Sequence, residues 1–300
     1  MTTVGFIGVG TMGTPMAQNL VKKGFEVTLY DEAPGRAPQV AKEFGCKAVQ
    51  SLDGLEGCEF IITMLPDGKV VQEVLTRAQQ QSLIKSCKPG TVFIDMSSSE
   101  PTLTRETGAE LKKHGLVLVD APVSGARMRA ESGTLAIMIG ASDTTLIEKV
   151  RPVLSAMGNQ LFVLGGLGNG HAMKAINNIV AGTSMIAVAE GLAVGEEFGL
   201  DAKTMIDVFN ASTGRGFVTE FVAKEHVITN KFATGFALGL LAKDVRIAAD
   251  LSEDVKLDAP LFRLVRERFA MARGREGAGA DSARAFVAVK EVAKRSKKEQ

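Results

Sequence analysis

The stretch Val4-Gly5-Phe6-Ile7-Gly8-Val9-Gly10-Thr11-Met12-Gly13-Thr14-Pro15-Met16-Ala17-Gln18-Asn19-Leu20 decides the fold. Its apolar start reads as a buried strand, and Met16, Ala17, Leu20 and Val21 recur with the period of a helix. Between them lies Gly8-x-Gly10-x-x-Gly13. That spacing is weak by itself, but a turn between a strand and a helix is the context in which it binds a dinucleotide. Gly8 allows the tight turn, Gly10 lets the backbone approach a pyrophosphate, and Gly13 lets the helix pack on the strand. Val9, Thr11 and Met12 complete the loop, and the helix start presents unpaired N–H groups and a positive dipole end to an anion. A glycine-rich turn without a ligand is the competing reading. The second strand ends at Asp31, about 23 residues after Gly8. A carboxylate there accepts hydrogen bonds from the adenosine ribose and repels a 2′-phosphate, so NAD is the expected cofactor and NADP a possible one. Arg36 softens that preference, and Asp31 to Gly35 is also good turn chemistry.

Working outward, apolar runs at Val4–Gly8, Glu26–Tyr30, Glu59–Met64, Val92–Asp95 and Leu116–Asp120 alternate with helical patterns such as Gly13–Lys23 and Val70–Leu75. Such alternation predicts βαβ units and a mostly parallel sheet. Gly133–Ile139 and Gln160–Leu164 read as later strands that extend it. Beyond Gly165-Gly166-Leu167-Gly168 only helices are expected, with breaks near Ser212–Gly216, Ala233–Gly235 and Asp258–Pro260. The fold class is therefore α/β. A Rossmann-type doubly wound sheet over residues 1–165 is followed by an all-helical domain over 166–300, for substrate and dimerisation, that begins with a long interdomain helix. The run Lys294 to Gln300 reads as a solvated, frayed end.

Composition narrows the function classes. The chain has 300 residues and 45% hydrophobic content, enough for a sizeable core. A net charge of +1, no tryptophan and a single tyrosine argue against a nucleic-acid binder. Cys46, Cys58 and Cys87 form no CxxC pair, so free thiols in a reducing compartment are expected. No His/Asp/Glu cluster has the spacing of a metal site. The N-terminus enters an apolar run without a basic leader, and the apolar stretch Ile179–Val194 is interrupted by Gly182, Glu190 and Gly191. A soluble, cytoplasmic protein without a membrane span is the expectation.

A second stretch points to chemistry: Gly168-Asn169-Gly170-His171-Ala172-Met173-Lys174-Ala175-Ile176-Asn177-Asn178. In a helix Lys174 and Asn178 share one face, a base and an amide one turn apart. Apolar neighbours predict a dry setting, which favours the neutral amine. The competing reading is a surface lysine. His171 and His226 are alternative bases, His171 reading more simply as a capping or packing residue. The helix from Ile176 to Val194 is apolar on most faces and predicts burial against a second subunit, hence a homodimer or homotetramer.

Four motifs together resemble the β-hydroxyacid dehydrogenase family, the group of 3-hydroxyisobutyrate dehydrogenase and tartronate semialdehyde reductase. They are the fingerprint Gly5 to Leu20, the loop Asp120-Ala121-Pro122-Val123-Ser124-Gly125, the Lys174/Asn178 helix, and Lys243-Asp244. The resemblance covers nearly the whole chain. It implies Lys174 as general acid/base and Asn178 as a substrate hydrogen-bond donor. It implies Ser124 and Gly125, with Ala126 following, as the carboxylate site, Lys243 closing over nicotinamide and substrate, and Asp244 orienting it. Met64, Leu65 and Pro66 would line the cofactor, and Ser98 would stand near the nicotinamide. The loop departs from its relatives at Ala126-Arg127-Met128-Arg129, where an arginine could grip a second anionic group on the substrate or serve as surface charge. Arg215 is a weaker candidate for that task.

The expected activity is reversible hydride transfer between NAD and a small anionic 3-hydroxy acid or its semialdehyde. An NADPH-dependent semialdehyde reductase and a non-catalytic dinucleotide-binding scaffold are the alternatives. A decarboxylating sugar-phosphate dehydrogenase would need a larger helical domain, and the imine reductases lack the acid/base lysine.

Overall fold

The computed structural model describes residues 1–77 and 83–295; Ser296 to Gln300 of the charged tail lie outside them. The chain divides into two compact units, Met1–Lys174 and Ala175–Gln300.

In the first unit, β1 (Thr3–Ile7), β2 (Glu26–Tyr30), β3 (Lys47–Ala48), β4 (Phe60–Thr63), β5 (Val92–Asp95) and β6 (Val117–Asp120) form one parallel sheet in the order β3-β2-β1-β4-β5-β6. The strand order reverses beside β1, and a ligand binds outside the strand ends at such a switch point. β4 and β5 are buried along their whole length, as strands of a parallel sheet covered on both faces are. Side chains alternate between the faces. Phe6, Ile62, Ile94 and Val119 join one core with helix Gly13–Lys22, whereas Ile7, Ile61, Phe93 and Leu118 join the other.

The two later strands do not extend this sheet. β7 (Val123–Ser124), β8 (Leu135–Ile139) and β9 (Gly158–Val163) form a second, three-stranded sheet, with β7–β8 antiparallel and β8–β9 parallel. Pro122 lacks the N–H a further parallel rung needs, and its carbonyl accepts the Met138 N–H at 3.0 Å instead. The chain thereby leaves the large sheet after Asp120 and pairs back on β8. The helix expected near residue 70 starts at Gly68, where the Asp67 carboxylate accepts the Lys69 and Val70 N–H groups, and passes into a π-helical turn at Glu73–Arg77.

The second unit is helical. Helix Asn169–Phe198 starts in the first unit and supplies its central rod, about 45 Å long at about 1.5 Å per residue. Ile179, Met185, Ala189 and Leu192 pack with Val245, Ala248, Phe269 and Phe286 from later helices. Its small residues allow close packing, and a Cβ on Gly182 would lie 3.0 Å from the Phe269 ring. Among the described residues the remaining helices are Ala202–Ala211, the π-helical Val218–Val227, Leu238–Asp254, Pro260–Glu276, the short 3-10 turn Ser282–Arg284 and Ala285–Arg295. The rod is long and apolar enough to cross a membrane by length and composition, and half of its most apolar window is buried inside the protein.

Candidate active site

The glycine turn lies where β1 ends. The Gly8 N–H donates to the Tyr30 carbonyl at 2.9 Å, and a Cβ on Gly13 would run into the Gly8 carbonyl oxygen. Helix and strand are therefore pressed together at a point that only glycine permits. Gly10 faces open space, and no side chain caps the helix start at Met12. Backbone N–H groups face outward there with room for a phosphate, so the turn fits a dinucleotide. Asp31 holds it from the side: Oδ2 accepts the Val9 N–H at 2.9 Å and Oδ1 the Ala33 N–H at 2.9 Å.

Loops from β4 and β5 continue this edge. The Leu65 N–H donates to Ser97 Oγ at 2.9 Å, tying Met64–Pro66 to the loop that carries Ser98. Beneath them Asp95 is buried. Its Oδ1 accepts Thr63 Oγ1–H at 2.9 Å and the Ser97 N–H at 3.0 Å, and its Oδ2 accepts Ser99 Oγ–H at 2.8 Å.

Asp120, at the end of β6, is fully buried. Its two oxygens accept the Gly168 N–H at 2.7 Å and the His171 N–H at 2.8 Å, which anchors the first turn of the long helix. Burial pushes the Asp120 carboxyl up; the His171 charge and these backbone bonds oppose that shift. Gly170 is required here, because its Cβ would overlap the Met138 carbonyl and lie 2.8 Å from Asp120 Oδ2. The His171 ring is also buried, with Nδ1 at 2.8 Å from Thr104 Oγ1 and Nε2 at 3.5 Å from Asp95 Oδ2. It is more than a cap.

Lys174 and Asn178 follow one turn apart on this helix. Lys174 is half-buried and Asn178 is buried. The setting is drier on one side only: Ala175 and Ile179 are buried, whereas Met173 and Val180 are 38% and 60% exposed. Apolar residues placed all round a helix cannot all face one core. The Asn178 amide donates to Asp244 Oδ2 at 2.6 Å and accepts from Asn177 Nδ2 at 3.1 Å. Lys243 Nζ stands 3.8 Å from Asp244 Oδ1. The structure thus brings Asn178, Lys243 and Asp244 together.

Ser124 and Gly125 are partly exposed at the end of β7, and the Arg129 stem lies over Gly125 (φ +134°), where a Cβ would sit. Ala126 opens the next helix in a left-handed conformation, φ +54°. Arg127 pairs with Glu131 at 2.7 Å and Arg215 with Glu220 at 2.6 Å, both on exposed surface. His226 packs edge-on to Phe221 at 4.8 Å.

Sequence reasoning missed Asp95, Thr104 and the Asn178–Asp244 bond, and gave Asp120 no role of its own. A signal existed: Asp95 and Asp120 each end an apolar strand, and a buried carboxylate requires donors.

A model of the NAD binding domain of 6-phosphogluconate dehydrogenase matches residues 3–165. A second model, NAD-binding of NADP-dependent 3-hydroxyisobutyrate dehydrogenase, matches residues 168–289. The chain belongs to the β-hydroxyacid dehydrogenase family. Among curated β-hydroxyacid dehydrogenases it is 35% identical to 2-(hydroxymethyl)glutarate dehydrogenase of Eubacterium barkeri, over 91% of each chain. It is also 35% identical to mitochondrial 3-hydroxyisobutyrate dehydrogenase of Homo sapiens, over 90% of this chain and 81% of that one. The solved 3-hydroxyisobutyrate dehydrogenase of Mycobacterium tuberculosis with L-serine superimposes with a TM-score of 0.87 at 32% identity, covering 96% of this chain and 98% of that one. As a β-hydroxyacid dehydrogenase the chain is an NAD(P)-dependent oxidoreductase acting on hydroxy acids.

Proposed function

We propose that the chain interconverts a small 3-hydroxy acid and its semialdehyde, with Lys174 as general acid/base and NAD as the preferred cofactor. The carrying observation is the pair Lys174 and Asn178 one helical turn apart, with the Asn178 amide held at 2.6 Å by Asp244. That bond fixes the amide so that its second N–H is available to a substrate oxygen. In oxidation the Lys174 amine takes the hydroxyl proton, and in reduction the ammonium returns it to the carbonyl oxygen. The nicotinamide, when bound, supplies or accepts the hydride.

Gly8 to Gly13 hold the pyrophosphate, Asp31 the adenosine ribose, and Met64, Leu65, Pro66 and Ser98 line the nicotinamide half. Ser124 and Gly125, followed by Ala126, receive the substrate carboxylate. Lys243, steadied by Asp244, closes over substrate and nicotinamide. NAD is favoured because Asp31 places negative charge where a 2′-phosphate would sit.

Arg127 is drawn off to Glu131, whereas the Arg129 stem lies on Gly125. Arg129 is therefore the better candidate of the two for a second anionic group, and a grip there would extend the substrate class to hydroxy dicarboxylates. Arg129→Met should raise KM for a dicarboxylate about tenfold and leave monocarboxylates unchanged; equal effects on both would remove Arg129 from substrate choice.

Val180, Val194 and Phe198 on the long helix and Phe217 beyond it are exposed apolar residues. They support a homodimer or homotetramer. A cytoplasmic location is part of the same reading.

The test is initial rates with NAD(H) and NADP(H) across 3-hydroxyisobutyrate, 3-hydroxypropionate, glycerate, serine, 2-(hydroxymethyl)glutarate and the matching semialdehydes. Turnover of one of them with NAD(H) is the expected result. Tight dinucleotide binding without any turnover would favour the scaffold alternative.

A further inference from the structure

The first unit contains a buried ionisable group that the proposed reaction does not use. The His171 side chain is wholly buried, between two carboxylates that are themselves buried. Its Nε2 is 3.5 Å from Asp95 Oδ2, and its Nδ1 is 3.8 Å from Asp120 Oδ2 and 2.8 Å from Thr104 Oγ1. Thr104 Oγ1 is also 3.1 Å from the Glu100 carbonyl, which can only accept. That carbonyl already accepts the Thr104 N–H at 3.0 Å, and the Thr104 hydroxyl pairs with Nδ1 whichever of the two carries the proton. Nε2 is buried without a hydrogen bond and stands 3.5 Å from the Asp95 carboxylate.

Each carboxylate holds a different part of the site. Asp120 anchors the first turn of the long helix through the Gly168 and His171 N–H groups. Asp95 fixes Ser97 and Ser99 on either side of Ser98, and Ser97 in turn holds Leu65. The ring stands between the two assemblies, three residues before Lys174. Residues three apart share a helix face. We propose that His171 is a positioning residue for Lys174: it joins the helix turn that carries the lysine to the loop that carries Ser98. This rests on the reading of Lys174 as the acid/base group. Without the ring, Asp95, Asp120 and Thr104 lose a shared partner, and the helix start keeps its bonds to the Asp120 carboxylate and to Arg105 but has no link to Asp95. A displacement of about 1 Å at a reacting group costs about a hundredfold in rate.

The test compares His171→Leu, His171→Gln and Lys174→Ala, singly and combined, reading kcat, KM, NADH affinity and Tm. His171→Leu is expected to lower kcat ten- to a hundredfold while KM and NADH affinity stay within threefold. His171→Gln retains a donor for Asp95 and a partner for Thr104, and should recover to within about fivefold of the parent. In the Lys174→Ala background, His171→Leu should cost no more than a further twofold, because there is no lysine left to position. A kcat for His171→Leu within threefold of the parent overturns the proposal. So does a loss that persists in full without Lys174, or one matched by a fall in NADH affinity. If His171→Leu does not fold, Thr104→Val removes the Nδ1 partner alone: a three- to tenfold loss of kcat that vanishes without Lys174 supports the proposal, and unchanged kcat overturns it. Near-normal turnover by Lys174→Ala alone would sink the acid/base reading first, and this inference with it.

Discussion

Two glycine-rich turns, each followed by a helix, sit in this molecule, and they have opposite uses. At Gly8–Gly13 the helix start is uncapped, Gly10 faces open space, and the anion must come from outside. At Gly165–Gly170 the chain supplies its own anion: the Asp120 carboxylate takes the Gly168 and His171 N–H groups, which leaves no room for a ligand phosphate. The same backbone physics serves both, since the first N–H groups of a helix seek negative charge. The glycines report how close the backbone must come to something, and not what that something is. On the proposed function the first turn binds the dinucleotide, and the second fixes in place the helix that carries the acid/base lysine one turn later.

The largest effect to test that contrast is at Lys174. Lys174→Ala should lose about 10²–10⁴ in kcat and keep NADH affinity, measured by nucleotide fluorescence. Loss of nucleotide affinity instead would mean that the second helix belongs to cofactor binding and that the contrast is false. Next come the glycines. Gly170→Ala forces a Cβ against the Met138 carbonyl and Asp120, and should cost about 1–3 kcal/mol of stability, seen as a lowered Tm. Gly10→Ala meets no protein atom, so Tm should hold within the scatter of a surface change, about 0.5 kcal/mol, while NADH affinity falls. The reverse pattern, a melted Gly10 variant and an unaffected Gly170 variant, would exchange the roles of the two turns.

Asp31→Asn sharpens the account of the first turn. Removing the charge should shift the NAD/NADP ratio of kcat/KM about tenfold toward NADP, about 1.4 kcal/mol. An unchanged ratio would leave Asp31 only its bonds to Val9 and Ala33. A last test lies in the core packed on one face of the sheet, which contains Cys87. Burial pushes the Cys87 thiol from 9.0 up to about 11. At pH 8 it therefore carries about a hundredfold less thiolate than an ordinary cysteine, and alkylation should be correspondingly slow until the protein unfolds. Fast labelling of Cys87 in the native protein would show that this core opens readily.

Much of the site was legible because its signals are local. The strand–turn–helix pattern, the Lys174/Asn178 spacing and the breaks between later helices depend on neighbours within a turn or two. The second sheet was misread because Pro122 redirects the chain only after β6 has ended, and pairing with β8 is a long-range choice. Asn19 shows the same limit: it lies inside the fingerprint, but its amide is spent on the Ala130 carbonyl at 2.6 Å, 111 residues away.

The sequence by itself determined the glycine turn, the acidic residue that follows it, and a lysine and an amide on one helical face. Each of these is a matter of backbone period and side-chain size. Only the tertiary structure decided that Asp120 fills the second turn and that Asp244 locks Asn178. A buried or half-buried polar group takes whichever donor or acceptor the fold brings within about 3 Å, and distance along the chain carries no record of that choice.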